Sequence, residues 1–147
     1  MVDLNEVEKA IIAKLQPLAQ GLKVEAFPDR PVEYIENELQ NARGALLVFV
    51  PVNAAKGDDT DEWASGFTLR PEITILHFDN RPDDAHTGAY GLLKDTVEVF
   101  DGEEGEGTYL NIGRERYKVQ ATGFGFVAHD TERGLWEYVV RIELRPK

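Results

Sequence analysis

The chain has 147 residues, 42% of them hydrophobic and 10% aromatic, no cysteine, and a net charge of −11 from 16 Lys plus Arg against 27 Asp plus Glu. This length and composition predict one domain with a core of its own rather than a disordered chain. The charge speaks against clamping nucleic acid, whose phosphates need neutralising, and against anionic membrane surfaces. The absence of cysteine excludes disulfides, thiolate chemistry and Cys-ligated zinc.

No run reaches the ~18 apolar residues of a membrane span. The opening MVDLNEVEKAII lacks the basic region of a secretory signal. Asp3 reads as a helix N-cap with Glu6 as its capping-box partner. Leu4, Val7, Ile11, Leu15, Leu18 and Leu22 follow at helical spacing. Pro17 should kink or end that helix, and Gly21 is a natural stop. Lys23 to Phe27 is a short strand candidate, and Val32 to Leu39 could form two helical turns.

Gly44 begins ALLVFVPV, apolar on both faces, which predicts a central strand covered on both sides. Val48 and Phe49 should therefore be buried on opposite faces. Residues 53–66, NAAKGDDTDEWASG, read as a mobile acidic loop. Phe67 to Asp79 reads as one strand, with Leu69, Ile73, Ile75 and His77 on one face and Leu76 and Phe78 on the other. Asp83 or Asp84 can cap a helix carrying Ala85, Ala89, Leu92, Leu93, Val97 and Phe100. Gly88 and Gly91 within it each cost ~1 kcal/mol against Ala, so they imply close backbone packing.

A second acidic, Gly-rich loop (101–107) leads to a strand at Tyr109 to Ile112 and a longer one from Glu115 to His129. The alternation in the longer strand slips phase at Thr122-Gly123, the mark of a β-bulge. DTERG (130–134) closes a hairpin onto Leu135 to Leu144, where Trp136, Tyr138, Val140, Ile142 and Leu144 face in and Glu137, Arg141 and Glu143 face out. The order α-β-α-β-β-α-β-β-β predicts a single α+β domain over 1–147. Its sheet is mainly antiparallel, with an N-terminal helix and a second long helix packed on it.

The chemistry concentrates in HFDNRPDDAH (77–86). With His129, the pattern His77-x-Asp79 mimics the two-His-one-carboxylate set of non-haem iron oxygenases. Those enzymes are jelly rolls, with strands between the two halves of the set, whereas here a helix and a Gly-rich loop fill the interval. Helix-start and turn chemistry account for Asp83, Asp84 and Asn-Arg-Pro without a metal. Ser65, the one serine, has no histidine at triad spacing. GEGTYLNIG has no Lys after its glycines, so it is not a phosphate loop. Neither a catalytic residue nor a metal or other cofactor is expected. Trp63, an aromatic in a polar loop, reads equally as packing back on the core or as an interface residue.

Several stretches together carry a resemblance: KAIIAKLQPLAQGLKVEAFPDRP, the central ARGALLVFV, RPEITILHFDNRP leading to GAYGLLKDTVEVFDG, and GFGFVAHDTERGLWEYVVRIEL. In this order the chain resembles the tail terminator, or tail-completion, proteins of Mu-like contractile-tailed phages and of related prophages, tailocins and injection systems. The resemblance spans almost the whole chain as a pattern of elements. It implies a hexameric ring that caps the tail tube, stops its polymerisation, and presents a surface to the head.

The implied partners are further copies of the chain, the tube and sheath proteins and a head-completion protein. The implied place is the host cytoplasm during assembly and then the virion tail. Candidate interface residues are Trp63, Gly88 and Gly91. The candidate acidic surface comprises Asp58, Asp59, Asp61, Glu62, Glu103, Glu104 and Glu106. Such charge lining a channel would repel DNA from the wall and let it slide.

Overall fold

In a computed structural model, the described residues are 3–51, 67–78 and 88–147, together with the backbone of 55–56. Helix α1 (Leu4–Leu15) starts where Asp3 Oδ1 accepts a hydrogen bond from Asn5 N at 2.9 Å, and it buries Val7, Ile11 and Leu15. Pro17 has no N–H to continue the α ladder, so the helix tightens into a 3₁₀ turn at Gln16–Leu18 and stops. Strand β1 (Leu22–Ala26) follows. Helix α2 (Pro31–Glu38) opens on a proline at its first turn, where no N–H partner is lost.

The remaining elements are β2 (Gly44–Phe49), β3 (Ala55–Lys56), β4 (Phe67–Thr68), β5 (Glu72–His77), α3 (Ala89–Asp101), β6 (Thr108–Ile112), β7 (Glu115–Asp130) and β8 (Leu135–Pro146). Six strands form one sheet in the order β1-β2-β5-β8-β7-β6, while β3 and β4 pair separately. Only β1 and β2 run parallel, and α2 makes the crossover that a parallel pair requires. The fold is α+β with a mostly antiparallel sheet, as the element order predicts.

Helices α1 and α3 cover one face. Leu46, Val48, Ile73, Ile75, Val140, Ile142 and Leu144 meet Val7, Ile11, Leu15, Leu92 and Phe100 there. The other face holds a smaller core of Leu39, Ala45, Leu47, Leu76 and Leu135, with Tyr34 and Ile35 of α2 against it. β2 is therefore covered on both sides through Val48. Phe49, however, is 46% exposed, against the expectation of burial. The α2 helix has eight residues, ~12 Å, and is too short to shelter the end of β2. Phe49 packs instead on Phe27, with ring centroids 6.1 Å apart.

Three boundaries differ from the sequence expectation. The strand foreseen from Phe67 to Asp79 is interrupted. Leu69 bridges Leu144, and Pro71, which lacks an N–H, separates β4 from β5. Helix α3 is capped by extended Gly88 rather than by Asp83 or Asp84. Those aspartates and Ala85 lie outside the described residues. Within the stretch expected to be a loop, Ala55 and Lys56 pair with Thr68 and Phe67. In β7 the register shifts between Ala121 and Gly123, where the phase slip predicts a bulge, and again between Phe126 and Ala128.

Gly44 sits where β2 begins its pairing with β5. A Cβ there would stand 2.0 Å from the Leu76 carbonyl oxygen, a backbone atom that cannot yield without breaking the ladder. Gly44→Ala is expected to cost more than ~3 kcal/mol in urea denaturation, the range of severe core lesions. An unchanged midpoint would contradict that close approach.

Candidate functional site

The sheet places His77, Trp136 and His129 in one cross-strand row, because His77 and His129 each register with Trp136 on β8. The two histidines therefore lie two strand spacings apart, ~10 Å at the backbone. Trp136 occupies the space between them, and the His129 imidazole stacks on its indole at 3.6 Å with the rings 10° from parallel. A shared ion needs both ring nitrogens within ~2.1 Å of one point, which the interposed indole prevents in this arrangement. His77 is buried, and Asp79 lies outside the described residues. Among the described residues, no three His, Asp or Glu side chains gather in a way that could hold a metal.

That row is one end of an aromatic chain. Trp136 meets Phe126 at 6.3 Å, Phe126 meets Tyr138 at 5.8 Å edge to face, and Tyr138 meets Tyr90 of α3 at 6.1 Å. Between α3 and the outer half of the β7–β8 hairpin lies an open apolar groove of about 550 Å³. Tyr90, Leu93, Val97, Phe124, Phe126 and Tyr138 line it. At its rim Lys94 and Glu98 face each other at 3.7 Å, one helical turn apart.

Phe124 and Phe126 are 62% and 59% exposed. Their alternation in sequence groups them with the core-facing residues, and their face is indeed that of the core. The cover of α3 stops at β8, since Phe124 and Phe126 pair with buried Val140 and Tyr138 yet stay exposed. This groove is what the sequence reading missed; the signal was present in GFGFV, an apolar run on a strand longer than either covering helix.

The other candidates divide. Gly88 and Gly91 are buried at the start of α3. Trp63, Asp58, Asp59, Asp61 and Glu62 lie outside the described residues. Glu103, Glu104 and Glu106 are exposed on the turn between α3 and β6. The base of that turn is tied: Gly107 N donates to Asp101 O at 2.7 Å, and Thr108 Oγ1 donates to Phe100 O at 2.7 Å. Across the bulge, Ala121 N donates to Asp101 Oδ1.

At the far end of the hairpin, Asp130 accepts from Glu132 N and Arg133 N, while Arg133 Nη1 donates to Asp130 Oδ2 at 2.7 Å. The Arg133 guanidinium holds the Asp130 carboxyl below its ordinary value. Arg133 Nη2 also reaches Glu36 of α2 at 2.5 Å, so the hairpin turn is tethered to the second face of the sheet. On that face Glu137 registers with Leu76 and Ala128, and its burial raises the carboxyl above the usual range. None of these groups faces a nucleophile or a convergent acid–base partner among the described residues.

No protein-family model and no curated protein sequence matches the chain. Among solved structures, the chain is similar to a component described as "Virion of native gene transfer agent (GTA) particle". The identity is 13% and the TM-score 0.57, and the match spans 95% of this chain and 93% of that one. The likeness is therefore one of fold over the whole subunit. Among the described residues, no helix is long and apolar enough to cross a membrane.

Two outcomes are expected from this geometry. A carboxyl whose folded pKa is raised favours folding while protonated, and that contribution is lost as pH rises through the raised value. Glu137→Gln should therefore raise the melting temperature slightly at neutral pH, by about 1 °C given its half-exposure, and leave it unchanged below about pH 4. A fall at neutral pH would mean that the carboxylate is stabilised, not penalised, where it sits. Elemental analysis of the purified chain should find less than about 0.1 iron or zinc per molecule, since a stoichiometric metal needs ligands that converge.

Proposed function

We propose that this protein is a structural, non-enzymatic component of a phage-like particle, and within it the tail terminator that closes the tail tube. The observation that carries the reading is the fold likeness to a virion chain over nearly the full length of both. A shared hairpin or helix–sheet unit would cover a fraction of each chain; here the whole arrangement is shared. The order of elements in the sequence resembles the tail terminator family independently of that likeness.

In this reading the subunit forms a hexameric ring at the end of the tube, and contractile-tail sheath and head-completion proteins are its further partners. Assembly takes place in the host cytoplasm and the ring then stays in the particle. The ring has to arrest addition of tube subunits, which needs one face matched to the tube and another that is not. It also has to let DNA pass. A ring of six chains carries six times −11, and carboxylates such as Glu103, Glu104 and Glu106 would keep a DNA backbone from adhering. The acidic segment with Asp58, Asp59, Asp61 and Glu62 adds to that charge, and Trp63 within it is proposed as an anchor on a neighbouring subunit or the tube.

The test is removal of the gene from the producing genome, followed by electron microscopy of the lysate. The expected result is tubes of uncontrolled length and heads without attached tails, restored by the gene supplied in trans. Particles with tails of normal, uniform length and joined heads would refute the terminator role. Native mass spectrometry of the purified chain, alone and mixed with tube ends, should report an assembly of six subunits.

A further inference from the structure

Both edges of the six-stranded sheet leave backbone unpaired. β6 pairs with β7 only over Glu115–Val119, and Ala121 N is taken by Asp101. Beyond the first bulge, no described residue pairs with the outer edge of Gly123–Asp130. At the opposite end of the sheet, β1 pairs with β2 and, among the described residues, no strand pairs with its other edge. Open edges of this kind are sites for strand addition unless they are blocked. Apart from the register shift between Phe126 and Ala128, the segment is accessible: Gly123 and Gly125 leave open space where a Cβ would stand, and Phe124, Phe126 and Val127 are exposed beside them.

From this geometry we infer that the β1 edge of a second copy of this chain adds beside Gly123–Asp130 of β7, bringing that copy's covered apolar face alongside the groove. The contact is head to tail, as a closed ring requires, and it rests on the ring reading above. It pairs the β1 edge of one copy with the uncovered part of β7 in the next and leaves the short outer edge of β6 as it is.

Three observations favour a second copy as the occupant. The first is area: Tyr90, Phe124 and Phe126 together expose about 340 Å² of aromatic surface, taking ~200 Å² for a whole ring side chain. A standard interface buries ~800 Å² a side, a little over half of it apolar, so these three residues approach the apolar share that one side needs. The second is face: Leu22, Val24 and Ala26 of β1 lie on the same side of the sheet as Phe124 and Phe126, through the register of the intervening strands. An added β1 would thus continue the apolar face rather than invert it.

The third is charge. Two chains of −11 repel unless they meet where the excess acid is absent. The groove holds Lys94 with Glu98, and at β1 Lys23 is bridged to Glu38 while Glu25 accepts from Tyr34, so the named groups carry one net negative charge of the chain's eleven.

The absence of cysteine makes the contact directly testable. Ala26 and Phe124 are the two ends of one cross-strand row, four strand spacings or ~19 Å apart within a chain. A short bismaleimide cannot bridge them in one subunit. Ala26→Cys and Phe124→Cys chains, each with a native thermal melt, should give no covalent dimer alone and a dimer when mixed. The double variant should give a ladder ending at the ring size.

A wild-type ring whose mixed variants do not cross-link overturns this contact and leaves the terminator reading standing. Cross-linking of Phe124→Cys to itself overturns it too, since that means a two-fold contact. A wild-type chain that stays monomeric, alone and on tube ends, overturns both. Phe124→Asp gives a second arm: it should abolish assembly without moving the melt, and normal assembly of that variant would also overturn the contact.

Discussion

The structure turns on a mismatch of lengths. β7 has 16 residues and β8 has 12, so the hairpin extends for ~53 and ~40 Å. The helices laid on that face have 12 and 13 residues, ~18 and ~20 Å. A sheet this long cannot be roofed by two helices this short. In the inner part of the hairpin, Val140, Ile142 and Leu144 are buried to completion. The cover also ends across the sheet: Phe124 pairs with fully buried Val140 yet is exposed itself, and the groove lies along that boundary. The open edge of β7 arises because β6 has five residues against its 16.

An uncovered apolar strand costs solubility and invites mispairing, so a chain that keeps one has a use for it or a means of hiding it. Here the surrounding surface carries the compensation. The net charge of −11 holds separate molecules apart in solution, and the neutral groove is where that repulsion is weakest. In the proposed ring this balance would combine general repulsion with one permissive contact. Of the residues that resemble a metal set, His77 and His129 lie in one cross-strand row with Trp136 between them, and Asp79 lies outside the described residues.

Much of the fold was legible because it depends on local physics. The stripe of Val7, Ile11 and Leu15, the two-faced run at Gly44, the phase slip at Thr122-Gly123 and the alternation from Trp136 to Leu144 each report a periodicity or a turn that the backbone must respect. The errors sit where an element's fate depends on what covers it. Phe49 reads as core because its neighbours are core, yet α2 ends too soon to shelter it. Pro71 interrupts a run whose side chains all suit a strand. Helix α3 starts after Gly88, without a side-chain cap, although Asp83 and Asp84 are the residue types that favour caps.

By itself, then, the sequence determined the kinds and order of the elements, the acid that excludes phosphate clamping and the lack of thiol chemistry. Each of these is set by residue type and spacing within a few turns or a single strand. Only the tertiary structure decided which apolar residues are covered. Phe124 and Phe126 have the same alternation as Val140 and Ile142, and nothing local tells the two pairs apart. What separates them is how far α1 and α3 reach across the sheet, and reach depends on the lengths and placement of elements distant in the chain. Burial is a property of the assembled layers, and so is the surface left for a partner.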